Sequence, residues 1–398
     1  MNLSVPANYD SAIVDQLADY GIREVYGKLT NDAVGGGRSN FTTAGVDEKR
    51  LKNYIASLQR RGIEFNYLLN SSCLGNREWD RRWQKKFRKL MDMLGEFGVK
   101  RLTVSTPLLF KIIKASYPQF YLKAGIYAQI DTPARARFWE DLGADEITLE
   151  SFSINRDFKR LSAIRDAVNC SLQLIVNHPC LLNCPMQSYH QNGFAHSSDG
   201  SRRIFIDYCF LSCCRMRLED PVRFVQSAWI RPEDLDIYEQ LGFFSFKLLE
   251  RNIPSFELLK RVRAYSQRRF VGNLAELILP YGFSKSNSQN GFKFWRYFFH
   301  PLQIRPGKLK PLFELARMQG MTAPLAGRPI VIDNTRIPAN FLHKFLSADC
   351  THTDCDRCGY CRDIASRSVS IDEDFRRNAL EKYEQAEELI MTGKLWDV

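Results

Sequence analysis

The chain has 398 residues, and 56 Lys and Arg against 45 Asp and Glu give a formal net charge of +11. Its 44% hydrophobic and 25% charged residues supply enough apolar material for a substantial core, which excludes wholesale disorder. No apolar run approaches the roughly 18–20 residues of a spanning helix, and the opening MNLSVPANYD lacks the basic and apolar regions of a signal peptide, so a cytoplasmic protein with no membrane span is expected.

From residue 1 to about 250, short β-rich runs alternate with amphipathic helical stretches, the pattern of parallel β/α architecture. Strands are expected at Leu3–Pro6, Glu24–Lys28, Glu64–Asn70, Arg101–Ser105, Leu122–Ala128, Glu146–Glu150, Ser171–Asn177 and Ser245–Leu249. Helices are expected between them. In Glu48–Arg61, Leu51, Tyr54, Ile55 and Leu58 repeat at three-and-four spacing. Glu78–Phe97 follows, and Pro133–Leu142 carries Thr132 as its cap and Pro133 at its first position. Eight strands in this length match a (β/α)8 TIM-like barrel over residues 1–255. An open doubly wound sheet is the alternative.

In a barrel, the loops after the strands form the functional face. The segment after the seventh strand is the longest, a cysteine-bearing insertion at about 178–225, and it leads into SAWIRPEDL (227–235). Residues 256–398 form a C-terminal extension. Within it, 256–268 reads as helical, FKFWRYFFHPL (292–302) as an aromatic-rich stretch, GRPIVIDN (327–334) as a strand entering a turn, and 372–391 as a charged helix.

Nine of the eleven cysteines fall into two groups, which in a reducing compartment points to metal binding or redox chemistry. The first comprises Cys180, Cys184, Cys209, Cys213 and Cys214; two separated pairs can supply four thiolates to zinc or to a cubane iron-sulfur cluster. Cys213 and Cys214 compete for the last position. The second, Cys350, Cys355, Cys358 and Cys361, has C-x4-C-x2-C-x2-C spacing in a polar stretch, for which a second 4Fe-4S cluster is favoured over zinc with His352 competing as a ligand. Cys73 and Cys170 are left over.

Other candidates lie on the expected functional face. His190 and His196 are plausible acids or bases. Arg156 and Arg231 are placed to hold a carboxylate, with capping and pairing as the simpler role of their neighbours Asn155, Asp157, Glu233 and Asp234. Cys73 is the one well-placed free thiol, read either as packing or as a catalytic or ligating group. GGGR (35–38) lacks the sequence of a phosphate loop and reads as a flexible turn, with Arg38 able to reach the mouth. The basic runs at 80–89 and 260–269 are solvated helix faces or attract phosphate.

An apolar strand followed by Cys180 and Cys184, the Cys209/Cys213 pair, RPEDL (231–235) and the basic FKLLER segment (246–251) together resemble peptidase family U32 over about residues 1–275. Lys247 and Arg251 sit where the family carries a K-I-x-G-R-like strand, with Glu250 in place of the usual glycine; VYGK (25–28) and FNYLLN (65–70) resemble its second and third strands. The resemblance implies the iron-sulfur branch of the family, which includes proteins of oxygen-independent ubiquinone and RNA hydroxylation. In that branch Cys180, Cys184, Cys209 and Cys213 would bind a 4Fe-4S cluster, and prephenate is implicated as an oxygen source for some members. Lys247 and Arg251 join the catalytic candidates on this ground.

The expected function is an iron-sulfur oxidoreductase working anaerobically on a small-molecule or carrier-bound substrate, with an electron-donor protein and a heteromeric family partner as its companions. An RNA-binding modification factor with structural clusters is one alternative. A peptidase is the other, although the chain has neither H-E-x-x-H nor G-x-S-x-G.

Overall fold

In the computed structural model, which describes residues 1–39, 45–198, 205–251, 253–280, 306–308, 310, 328–350 and 352–396, eight parallel strands pair in chain order and close on themselves. They are β1 (Asn2–Pro6), β2 (Glu24–Gly27), β3 (Glu64–Leu69), β4 (Arg101–Val104), β5 (Tyr121–Ala124), β6 (Glu146–Thr148), β7 (Ser171–Ile175) and β8 (Ser245–Lys247). Closure runs through β1 and β8, with Ser4 opposite Lys247, and this excludes the open sheet. All eight expected strands are present. The fifth is shorter than expected because Gly125 leads into a 3-10 turn at Ile126–Ala128.

The helices between the strands are α1 (Val14–Asp19), α2 (Glu48–Gln59), α3 (Arg81–Glu96), α4 (Pro107–Ser116), α5 (Pro133–Asp141), α6 (Ser151–Ile154) and α7 (Phe158–Ala167). After β7 come α8 (Gln187–Ser197), α9 (Tyr208–Glu219), α10 (Val222–Gln226) and α11 (Leu235–Gln240). Local chemistry sets their starts. Asp47, Asp80 and Thr132 each accept a hydrogen bond from a first-turn amide of α2, α3 and α5. The cap at Asp80 moves the start of α3 past the expected Glu78. Leu51, Tyr54, Ile55 and Leu58 form the buried stripe of α2, as their spacing predicts.

The barrel interior is polar. Every strand contributes to one hydrogen-bonded ring: Ser4 donates to Glu24, Asn66 to Glu24, Thr103 to Asn66, Thr148 and Ser245 to Gln173 and Glu146, and Gln173 to Ser245. Lys123 of β5 sits at its centre, 2.7 Å from Glu24 and 2.6 Å from Glu146. Barrels of this kind usually fill with branched apolar residues; here the apolar residues face outward, toward the helices.

The extension begins with α12 (Ser255–Ser266), which packs against α1 and thereby closes the outer ring beyond the expected boundary at residue 255. There follow α13 (Ala275–Ile278), β9 (Ile330–Ile332), α14 (His343–Ser347), α15 (Cys355–Cys358), α16 (Tyr360–Ser368), β10 (Val369–Ile371) and α17 (Glu373–Met391). β9 and β10 form a separate antiparallel pair. The 292–302 stretch lies outside the described residues. No helix among the described residues is long and apolar enough to cross a membrane.

Candidate functional site

Above the polar ring, at the carboxyl ends of the strands, the loops after β2, β3, β7 and β8 converge. The glycine run is packed into this layer. Gly35 has φ +80, and a Cβ at Gly37 would lie 2.7 Å from the Tyr127 ring. Its amides are already satisfied: Val34 and Gly35 donate to Asp32, and Gly36 donates to Ser198 Oγ. The amides of Gly35 and Gly36 are therefore taken, and the expected flexible turn is instead a fitted one. Arg38 reaches the mouth as expected and pairs with Glu250 at 2.7 Å.

The loop after β7 brings Cys180 and Cys184 beside α9, whose Cys209 and Cys213 face them. Cys180, Cys184 and Cys209 each lie within electrostatic reach of Cys213, and Cys184 also within reach of Cys209. Burial raises all three of their thiols, that of Cys209 to about 12. Cys213 goes the other way, pulled down first by a hydrogen bond from Cys214 and then by the charge of Arg217. Arg217 Nη1 donates to Cys213 Sγ at 3.3 Å, while its Nη2 donates to Pro179 O. Cys214 is buried beside Cys213, Arg217 and Asp207 and interacts with Tyr383 of α17.

Histidines frame this set. His178 Nε2 lies 3.4 Å from Cys180 Sγ, and its Nδ1 is 2.6 Å from Ser151 Oγ. His190 Nε2 stands 2.9 Å from Asp207 Oδ1; burial opposes its charge, but Asp207 wins and lifts its pKa above the ordinary histidine value. His196, half-buried on α8, faces Gly75 in the loop of Cys73. Gly75 N donates to Cys73 Sγ, and Ser72 ties that loop to Asn192 of α8.

The tail cysteines form a second set. Asp354 caps α15, and Gly359 with φ +66 lets the chain turn at once into α16. Cys361 acts electrostatically on Cys350, Cys355 and Cys358, which also act on one another. Cys355 and Cys358 are exposed, unlike the thiols of the first set. His352 pairs with Asp349 at 2.8 Å. Among the described residues, no three His, Cys, Asp or Glu side chains close on one metal-ion position.

Two expected carboxylate holders are engaged elsewhere. Arg156 donates to Val225 O (2.6 Å) and Trp229 O (3.0 Å) and lies over the Trp229 ring, in reach of Cys361 and Cys350. Arg231 makes a two-pronged pair with Asp234 at 2.7 and 2.8 Å and donates to Ile337 O and Pro338 O. Arg231 thereby fastens the extension to the barrel, and Arg156, whose acceptors lie on the barrel side, meets the extension through the rings of Phe341 and Phe345. Lys247 and Arg251 do lie at the mouth, beside Tyr26 and Tyr9. Sequence reasoning missed His178, Arg217, Asp207 and Tyr383; the N-H-P-C run at 177–180 was the one local signal for any of them.

Comparison with known proteins finds similarity over the barrel. The model of peptidase family U32 matches residues 10–189. An uncharacterized protease of Methanocaldococcus jannaschii is 28% identical over 289 residues, covering 70% of this chain and 85% of that protein. Residues 10–189 thus resemble peptidase family U32. Among solved structures, the U32 peptidase Mk0906 is 19% identical, with a TM-score of 0.47, covering 64% of this chain and 95% of that one. Phosphoribosyl anthranilate isomerase from Thermus thermophilus, at 10% identity and a TM-score of 0.37, covers 67% of this chain and 98% of that one. The family match includes Cys180 and Cys184 and stops short of α9 and the tail.

Proposed function

We propose that this protein is an iron-sulfur oxidoreductase, an oxygen-independent hydroxylase or a related tailoring enzyme. The observation that carries the reading is the convergence of two four-thiol sets from separated parts of the chain, one half-buried at the barrel mouth and one nearer the surface. Cys180, Cys184, Cys209 and Cys213 would hold the first cluster, and Cys350, Cys355, Cys358 and Cys361 the second.

The donor chemistry fits. Four soft thiols suit iron-sulfur or zinc, and thiolates bound to one zinc at about 2.3 Å come within about 4 Å of one another. A cubane instead carries its four thiolates on separate irons. Cys213 is favoured over Cys214 because Cys180, Cys184 and Cys209 each feel its charge and Arg217 donates to its Sγ. When bound, such clusters supply one-electron chemistry.

The chain's own residues do the rest. Arg217 offsets thiolate charge in a buried place. His190, its Nε2 2.9 Å from Asp207, stands beside Cys213 as a candidate proton donor. The exposure of Cys355 and Cys358 suits exchange with an electron-donor protein.

A second reading, an RNA-binding modification factor, is favoured by α3, where Arg81, Arg82, Lys85, Lys86 and Lys89 stand exposed with no ion pair among the described residues.

The deciding experiment is purification without oxygen, with iron, acid-labile sulfide and zinc measured per chain alongside visible and EPR spectra. About eight iron and eight sulfide are expected, falling to about four of each in Cys355→Ala/Cys358→Ala. Stoichiometric zinc without iron would sink the redox reading and leave a structural or hydrolytic role.

A further inference from the structure

Arg156 stands where the extension meets the barrel, and it is a buried cation without an anion. It is 6% exposed. Its guanidinium lies 4.3 Å from the centre of the Trp229 ring, 5.0 Å from that of Phe341 and 5.3 Å from that of Phe345, so one ring of the barrel side and two of the extension enclose it. Its hydrogen bonds go to two neutral carbonyls, Val225 O and Trp229 O, and its Nε has no acceptor among the described residues. No carboxylate among those residues pairs with it. Arg231, at the same join, is by contrast neutralised by both oxygens of Asp234.

A guanidinium cannot shed its proton. Buried, it needs a negative charge in reach, because carbonyls and ring faces offset only part of the cost of burial. Burial works against the charge of Arg156, and the groups that favour it are, in order, Cys361, Tyr238, Asp234 and Cys350. Tyr238 donates its hydroxyl to Asn155 O, and burial keeps it neutral. Asp234 is already taken by Arg231. What remains is the inner half of the tail cysteine set: Cys350 and Cys361 pack against the core, whereas Cys355 and Cys358 are exposed. The link to them is direct, since Tyr360, next in sequence to Cys361, stacks on Phe341 with centroids 6.1 Å apart and donates to its carbonyl. Cysteine is negative only as thiolate, the form in which it binds metal. Four thiolates on one zinc or one cubane carry more negative charge than the metal or cluster core cancels.

We propose that Arg156 is the buried countercharge of a metal-thiolate centre held by Cys350, Cys355, Cys358 and Cys361, so that filling this centre and docking the extension on the barrel are one linked equilibrium. The proposal rests on metal binding by the tail set, as in the functional reading above, and holds for zinc as for iron-sulfur. Arg156 is carried by the barrel and the thiolates by the extension, so each event favours the other. A positive charge at this place helps retain the metal. With a cluster bound it also raises the reduction potential, because reduction adds negative charge there. Arg156 is thus a positioning residue that acts through the centre's ligands.

Two substitutions separate charge from hydrogen bonding: Arg156→Lys keeps the charge, and Arg156→Gln keeps a donor for the carbonyls and loses the charge. Full-length protein purified without oxygen is dialysed against graded EDTA, and tail metal is counted as the excess over Cys355→Ala/Cys358→Ala, which leaves the mouth set alone. Arg156→Gln is expected to lose tail metal at a chelator concentration at least about tenfold lower than the wild-type protein, with Arg156→Lys close to wild type. If the metal is iron-sulfur, an EPR-monitored titration should find the tail potential lowered in Arg156→Gln, restored in Arg156→Lys, and the mouth potential unmoved in both. Wild-type protein stripped of tail metal should be cut by protease within 328–361 sooner than filled protein. Equal cutting of filled and stripped protein would overturn the linkage, and that comparison decides it even if a variant does not fold. Equal retention of metal in all three proteins, or Arg156→Lys as leaky as Arg156→Gln, would overturn the countercharge. A tail set that binds no metal would fell the proposal and the second cluster together, whereas tail zinc would fell the second cluster and leave the proposal standing.

Discussion

Lys123 shows how one side chain governs the barrel interior. Buried between Glu24 and Glu146, it keeps its charge against the cost of burial because two carboxylates face it. For Glu24, burial alone would raise the pKa, but the charge and hydrogen bonds of Lys123 overrule it and hold the carboxyl at about 2. A folded value below the unfolded one contributes stability that is fully present above about pH 4.5 and lost as the pH falls toward 2, on the order of 3 kcal/mol. Urea unfolding at a series of pH values should show this loss in the wild-type protein and a flatter profile in Glu24→Gln. Lys123→Met leaves Glu146 without a cation and Glu24 with only Arg101 at 3.8 Å, and should cost about 3–5 kcal/mol at neutral pH; a loss under about 1 kcal/mol would mean water reaches the ring. The sequence held no sign of this network. Its members are single polar residues in short strands, and only closure of the barrel turns them toward one another.

At the scale of elements, two basic runs that look alike in sequence have different fates. In 260–269, Lys260 pairs with Glu257 and Glu276, Arg261 is buried against the carbonyls of Leu249 and Leu279, and Arg268 pairs with Asp236 and Glu239. That run is structural. In α3 the buried stripe is Trp83, Phe87, Leu90, Met91 and Leu94, and the cations fill the opposite face. If that face binds RNA, Lys85→Glu/Lys89→Glu should weaken association and lower the slope of log affinity against log salt by about 2, as measured by fluorescence anisotropy. An unchanged slope would make it a solvated helix face. Helix periodicity and caps were legible beforehand, since they depend on neighbours a turn apart; the partners of each cation were not.

Across the whole molecule, the extension is fastened to the barrel by buried polar contacts. Arg156 and Arg231 bond backbone carbonyls on both sides of the join, Trp229 stacks on Phe341 with centroids 5.6 Å apart, and Phe341 on Tyr360. On the other side Arg215 of α9 pairs with Glu387 of α17, and Arg362 pairs with Asp220. Arg156→Met should leave two buried carbonyls without donors, cost about 2–4 kcal/mol and loosen the tail. Limited proteolysis should then cut within 328–361 sooner than in the wild-type protein while the barrel resists. Equal resistance would show that the aromatic stack is sufficient. The two arginines were expected at the mouth because their sequence neighbours follow or precede strands; their real acceptors lie as far as 107 residues away.

The sequence by itself determined the eight strands, the helix starts and the two cysteine groups, because periodicity, capping and ligand spacing are written in neighbouring residues. Tertiary structure alone decided which thiol of the Cys213/Cys214 pair turns toward the other cysteines, that Arg217 stands beside it, that the barrel is polar inside, and that Arg156 is buried with no carboxylate partner among the described residues. Those outcomes depend on distances between side chains from different strands and loops, and charge and burial act through space, so no local pattern along the chain encodes them.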